Sequence, residues 1–517
     1  MRLDPTRFTL RPVGVAADDP DDGEEASATV RGAGEGDRIR LRINVMQGPG
    51  LLPLSVGRWR LLYGDAPARV VRPDAVDPLR DATVFAIKSG PYGVTPSVGA
   101  DGCFVLDVTH VAATRDKADS EPDSNKVRRS LAKRTLSRAG RRARVSIFHA
   151  MVRAVKAVVD RSGRRILFTS DSRVALTGNL MEVHDRMVRR GLDQDYQLTT
   201  LFKSSVAERR SIRDRLRMPW LLATADVIVI DDYQPIIYRI GVDPDVRIIQ
   251  LWHASGAFKT VGYSRVGKPG GPSPFSEVHK NYTNAIVSSE HDVPFYAEAF
   301  GIPEERVVPT GIPRMDRFFD EAARAAGLHQ AREEFPQLVG RMTILFAPTF
   351  RGDGPRTASY DLGQLDYERL HALAVEKDAV VIMKMHPFVL DPLAIPAAFR
   401  DRIIDGSTSA MDVNDLLFAV DLLITDYSSI VFEFSTLGRP MLFFAYDLGE
   451  YIASRDFYVP FETFVPGRVV TTFDALLDAI RRDDYEGNKV AAFAARHFAH
   501  LDGGSTDRVI DELIIAS

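Results

Sequence analysis

Two histidines stand where a hydroxyl could lose a proton or a diphosphate could be held. His253 lies in Leu251-Trp252-His253-Ala254-Ser255-Gly256-Ala257-Phe258-Lys259, and His386 in Met383-Lys384-Met385-His386-Pro387-Phe388. Imidazole accepts a proton near neutral pH, so His253 is placed as a general base, with Lys259 available to neutralise phosphate charge. His386 reads either as a ligand or as a satisfied structural histidine. Ala347-Pro348-Thr349-Phe350-Arg351 adds a hydroxyl and a guanidinium. Asp426-Tyr427-Ser428-Ser429 adds a carboxylate and two hydroxyls ahead of an apolar run to Leu437, stopped by Gly438. Several donors around one point suit phosphate recognition. Taken alone, Asp426 or Ser428 is also a natural N-cap, Arg314 a surface-turn ion pair, and Glu433 either a ribose ligand or a solvent-facing helix residue.

All of these residues but Arg314 share a feature: they follow short apolar runs that can be buried strands. Arg165–Thr169, Val227–Ile230, Arg247–Leu251 and Ala285–Ser288 form one set. Ile344–Ala347, Val380–Lys384, Leu422–Thr425 and Met441–Phe444 form a second. Between them, Arg317–Arg341 is charged and helical, with a break at Gly340. Strands alternating with amphipathic helices predict two doubly wound parallel sheets, and ligands of such sheets sit at the carboxyl ends of strands.

At 517 residues the chain is too long for one core. The texture divides it at 1–118, 119–145, 146–325 and 326–517. The first part is β-rich, with Ile39, Leu41, Ile43 and Val45 alternating with polar residues, and predicts a small β-sandwich-like module. Further strands are expected at Trp59–Tyr63, Ala82–Lys88 and Cys103–Val108. Next comes a linker containing Lys126–Arg144, with nine Lys or Arg and no acid. That stretch reads as a solvated helix or hinge, or as a segment drawn weakly to anionic lipid.

The net charge of −4 gives no argument for nucleic acid. The single cysteine, Cys103, excludes an internal disulfide framework and a cysteine-built zinc site, and no carboxylate cage for a metal is visible. No secretory leader and no spanning run of about eighteen apolar residues are found, which predicts a cytoplasmic protein, at most peripheral on the inner membrane face. Phosphate-loop, Gly-x-Gly-x-x-Gly, His-Glu-x-x-His and Gly-x-Ser-x-Gly patterns are missing, which argues against a kinase, dehydrogenase, metalloprotease or α/β hydrolase.

Taken in order, Trp252-His253-Ala254-x-Gly256 with Lys259, Gly311-Ile312-Pro313-Arg314-x-Asp316, Ala347 to Arg351, Lys384-Met385-His386-Pro387 and Thr425 to Ser429 resemble the CDP-glycerol glycerophosphotransferase family of teichoic acid synthases. Arg439-Pro440, Tyr446-Asp447 and Asp502-Gly503 to Arg508 fit the same pattern, so the resemblance spans about 146–517. It implies a GT-B fold, with two Rossmann-like domains facing a cleft and a CDP-activated polyol held mainly by the second. His253 and His386 would be catalytic, His386 at the diphosphate. Lys259, Arg314, Thr349, Arg351, Asp426, Ser428, Ser429, Glu433 and Arg508 would bind substrate. The reaction would move glycerol phosphate or a similar unit to a hydroxyl of an envelope polymer or glycolipid and release CMP. It would need no resident cofactor, a divalent ion on the donor being compatible. The family commonly has Gly where this chain has Ala254, which makes a positive φ less available there. Two other readings stand beside it: a UDP-dependent GT-B glycosyltransferase or epimerase, and a non-catalytic scaffold of envelope-polymer assembly.

Overall fold

The computed structural model describes residues 7–13, 28–110 with breaks, and 145–515 with breaks inside 205–209, 240–244, 267–275, 353–356 and 455–456. The basic stretch Lys126–Arg144 lies outside the described residues.

The N-terminal strands are β1 (Phe8–Pro12), β2 (Ala28–Glu35), β3 (Arg38–Ile43), β4 (Gly57–Tyr63), β5 (Ala66–Pro67), β6 (Thr83–Ile87), β7 (Gly90–Val98) and β8 (Phe104–His110). Their hydrogen bonding runs as one antiparallel sheet in the order β3-β2-β1-β4-β8-β7-β6, with β5 on β4. This differs from the expected sandwich, because β4 joins both flanks through β1 and β8. Leu10, Trp59, Leu61, Tyr92 and Leu106 build its core, and Val266 of the following domain packs against it.

The first α/β domain carries β9 (Arg165–Ser170), β10 (Gln197–Phe202), β11 (Val227–Ile230), β12 (Arg247–Gln250), β13 (Asn284–Ile286) and β14 (Val307–Val308), parallel and ordered β10-β9-β11-β12-β13-β14. The second carries β15 (Met342–Phe346), β16 (Ala379–Met383), β17 (Ile403–Asp405), β18 (Leu422–Thr425), β19 (Met441–Phe444) and β20 (Arg468–Val470), ordered β17-β16-β15-β18-β19-β20. Every residue of β11, β16, β18 and β19 is buried, as strands covered on both faces require. In the second sheet the strand order reverses between β15 and β18, and a crevice opens at their carboxyl ends.

The two domains share an aromatic interface. Phe258 stacks on Phe464 and Phe457 at ring separations of 4.5 and 4.8 Å. The chain end returns to the first domain: Asp316 accepts the amides of Ser505 and Thr506 at 2.9 and 2.8 Å, and Arg190 pairs with Asp511.

Candidate active site

His253 follows β12 in a loop fastened on several sides. Asn179 Nδ2 donates to the Trp252 carbonyl at 2.9 Å, and the Trp252 amide donates to Gln250 Oε1 at 2.9 Å. The positive φ of the loop falls on Trp252 (51°) rather than on residue 254, so Ala254 sits there without that strain. Gly256 is the position that tolerates no side chain, since a Cβ would lie 2.3 Å from Phe432 of the second domain. The His253 ring stacks on Trp252 at 4.3 Å and stays 44% exposed. Its Nδ1 is 3.4 Å from the Asp231 carbonyl and 3.9 Å from Asp232 Oδ1. A proton on Nδ1, shared with the Asp231 carbonyl, leaves Nε2 unprotonated, the tautomer a general base needs.

His386 shows the opposite arrangement. Its Nδ1 accepts the Phe388 amide at 3.1 Å, so the neutral ring carries its proton on Nε2 and can donate it to an oxyanion. Burial and the charge of Lys259 hold its pKa below the ordinary value, which keeps the ring neutral. Phe350 and Phe388 flank it at 4.7 Å each. It lines a cavity of about 580 Å³ together with Arg314, Lys384, Ser428, Ser429 and Glu433.

The helix after β18 is Ile430–Ser435, shorter than the sequence suggests. Ser429 is its N-cap and makes no side-chain cap bond, whereas Ser428 Oγ lies 3.4 Å from the Ile430 amide. Asp426 does not cap it. Its Oδ1 accepts the amides of Thr349 and Tyr427 at 2.7 and 2.6 Å, tying β15 to β18 at the reversal point.

Arg351 faces carboxylates rather than open space. It meets Asp447 at 2.5 and 2.8 Å, Asp426 at 2.8 Å and the Thr349 carbonyl at 2.6 Å. All three of its nitrogens are engaged in these contacts, and through them it holds together the loops that carry the site. Asp426, fully buried, is likewise part of this framework, and burial raises its pKa while Arg351 opposes the rise. Arg508 binds the Thr310 carbonyl at 2.8 Å and Asp502 at 2.9 and 3.0 Å, and so anchors the chain end.

Glu433 is buried, not solvent-facing. Its Oε1 accepts Ser255 Oγ at 2.8 Å and pairs with Arg314, both from the first domain. Its Oε2 is buried with no hydrogen-bond partner among the described residues, as is Thr349 Oγ1. Lys259 lies over the Tyr451 ring at 5.5 Å, near enough to act on both His386 and Asp426. The cavity therefore gathers Arg314, His386, Ser428, Ser429 and Glu433. His253, Lys259, Thr349, Arg351, Asp426 and Arg508 stand outside its lining.

Sequence reasoning missed Asp231 and Asp232 and the loop carrying Ser407 and Ser409, and it met Ser255 and Asp447 only inside motifs, without the contacts they make to Glu433 and Arg351. The paired aspartates directly after β11 were a usable signal, because that edge also carries His253.

Residues 150–515 match the family model described as CDP-glycerol:poly(glycerophosphate) glycerophosphotransferase. The chain is 45% identical over 427 residues to the teichoic acid ribitol-phosphate polymerase TarK of Staphylococcus aureus, covering 82% of this chain and 81% of that protein. To the teichoic acid glycerol-phosphate primase of Bacillus subtilis it is 28% identical over 300 residues, covering 57% of this chain and 75% of that one. Among solved structures, the wall teichoic acid polymerase TagF aligns with a TM-score of 0.57 at 21% identity, over 76% of this chain and 98% of that one. At that identity the likeness is one of fold, and the shared fold is GT-B-like.

Proposed function

The chain belongs to the CDP-glycerol:poly(glycerophosphate) glycerophosphotransferase family, and on that premise we propose that it extends an envelope polymer with ribitol phosphate taken from CDP-ribitol. It is a transferase that moves a polyol phosphate from a CDP-activated donor to a polymer acceptor. Ribitol as the polyol is supported by the higher identity to the ribitol-phosphate polymerase than to the glycerol-phosphate primase.

In this reading the acceptor hydroxyl gives its proton to His253 Nε2 and attacks the phosphorus that bears the polyol. A new O–P bond forms, the bond from that phosphorus to the bridging oxygen breaks, and CMP leaves. His386 Nε2–H, Ser428 and Ser429 donate to the diphosphate, and Arg314 with Glu433 faces the nucleoside. Lys259 offsets the charge that develops on the leaving phosphate. Thr349, behind the cavity lining, would act on the substrate only indirectly, through the backbone amide that it gives to Asp426. The protein supplies no resident cofactor in this scheme, and a divalent ion would travel with the diphosphate.

The observation that carries the reading is the pair of ring contacts, His253 Nδ1 beside the Asp231 carbonyl and His386 Nδ1 accepting the Phe388 amide, which favours an acceptor Nε2 on the first ring and a donor Nε2 on the second. Calorimetric binding of CDP-ribitol, CDP-glycerol, CDP and UDP, repeated with His386→Ala, tests it. Cytidine preference with tightest binding of CDP-ribitol, weakened by the substitution, is expected. Equal binding of UDP would overturn the donor assignment.

No described helix is long and apolar enough to cross a membrane. A cytoplasmic location with peripheral contact to the inner membrane face is supported by the helix Ile212–Thr224. There Ile212, Leu216 and Trp220 are 76, 62 and 47% exposed at one-turn spacing, with Arg213 and Arg217 alongside. The basic stretch 126–144 would add to that attraction.

A further inference from the structure

A second cavity, of about 610 Å³, opens on the side of the domain interface where His291 and Phe295 of the first domain meet Phe464, Phe493 and His497. His291 and Asp292 immediately precede the helix Val293–Phe300, and His497 ends the helix Lys489–His497. One ligand atom from each of the three residues lies within 4.8 Å of the other two.

Asp292 is fully buried, and among the described residues no lysine or arginine pairs with it. Its oxygens accept the Ala257 amide at 3.2 Å and the hydroxyls of Ser288 and Ser289 at 2.8 and 3.3 Å. His497 is 2% exposed, and among the described residues its Nδ1 has no hydrogen-bond partner. That nitrogen lies 3.9 Å from Asp292 Oδ1, too far for a hydrogen bond. Two ligand atoms about 2.0–2.1 Å from a tetrahedral zinc stand roughly 3.4 Å apart, so small ring rotations bring the three groups onto one ion.

The surroundings suit a coordinated imidazole. Phe493, Phe464 and Phe432 enclose the His497 ring at 4.4, 5.3 and 5.5 Å. We propose that His291, Asp292 and His497 form a divalent transition-metal site of the zinc class, with its fourth position open to the cavity. Two imidazoles and one carboxylate favour such an ion over magnesium or calcium, which prefer all-oxygen shells. Lys489 and Arg496 line the same cavity, so an anion is the fitting fourth ligand. Through Asp292 and Ala257 the ion fastens the C-terminal helix to the loop that carries His253.

The test uses the full chain, stripped with chelator and titrated with Zn²⁺ and with Co²⁺, the bound metal being counted by mass spectrometry. About one ion per chain, a four-coordinate visible spectrum with Co²⁺, and at least about 100-fold weaker binding in His497→Phe and His291→Ala support the site. The partly exposed His291 keeps the test usable if His497→Phe does not fold. Failure of the wild-type chain to bind either metal at micromolar concentration overturns the proposal. So does binding that His291→Ala leaves unchanged, which marks adventitious surface sites.

Discussion

Ser255 Oγ donates to Glu433 Oε1 at 2.8 Å across the interdomain cleft, and Arg314 meets the same carboxylate oxygen. This contact sets the register between the loop that carries His253 and the helix that carries the serine hydroxyls. Glu433→Gln leaves the Arg314 guanidinium without its counter-charge and offers an amide in place of a carboxylate. Loss of a charged hydrogen bond costs about 1.5–3 kcal/mol, so kcat/KM for the donor should fall about 10- to 100-fold, mainly through KM. Ser255→Ala should cost less, about 1 kcal/mol. Steady-state kinetics with varied donor separate the two, and an unchanged KM in Glu433→Gln would place the nucleoside elsewhere.

Gly256 and Phe432 interlock the domains. Gly256→Ala puts a methyl 2.3 Å from the Phe432 ring, and its nearest alternative is to push the two domains apart. Overpacking of this kind costs about 1–3 kcal/mol. Denaturant unfolding should show that loss, and Phe432→Leu in the same chain should recover part of it. Strictly additive losses in the double-mutant cycle would mean that the two residues do not touch in solution.

Arg351 pairs with Asp426 and Asp447 at once. Arg351→Leu strands a fully buried carboxylate, and breaking such a pair costs about 3–5 kcal/mol. Arg351→Leu with Asp426→Asn should recover much of the stability lost by the arginine change alone. If Arg351 instead served only substrate, the single variant would keep wild-type stability and lose only turnover.

Acid should destabilise the first domain in a defined window. Burial lowers the pKa of His279 to about 4, with Asp232 opposing. The unfolded chain then binds a proton below about 6.5 that the folded chain takes up only near 4, so stability falls as pH drops through that interval. The full span corresponds to about 3 kcal/mol. His279 also holds φ at 68°, which asparagine tolerates, so His279→Asn should flatten the pH dependence. Stability measured at pH 7 and pH 4.5 in both proteins checks the sign.

The central strands were legible because β11, β16, β18 and β19 are buried on both faces and read as unbroken apolar runs. The edge strands were not: Gln197–Phe202 carries two threonines, and Val307–Val308 is too short to leave a pattern. His386 and the Ser428–Ser429 pair could be placed at one crevice from their positions after strands, whereas Arg314 follows the unread Val307–Val308 strand. The true partners of Arg351 and Glu433 could not, because Asp447 and Ser255 are distant in sequence and only the closed fold brings them into contact. The same holds for His291 and His497, which meet only because the chain end crosses back to the first domain.

The central claim is that His253 takes the acceptor proton. The most direct measurement is CMP release from CDP-ribitol in the presence of polymer acceptor, by wild type and His253→Ala, with donor affinity measured alongside. The account predicts a fall of at least about 100-fold in turnover with donor affinity unchanged. A folded His253→Ala protein that releases CMP at the wild-type rate would contradict it.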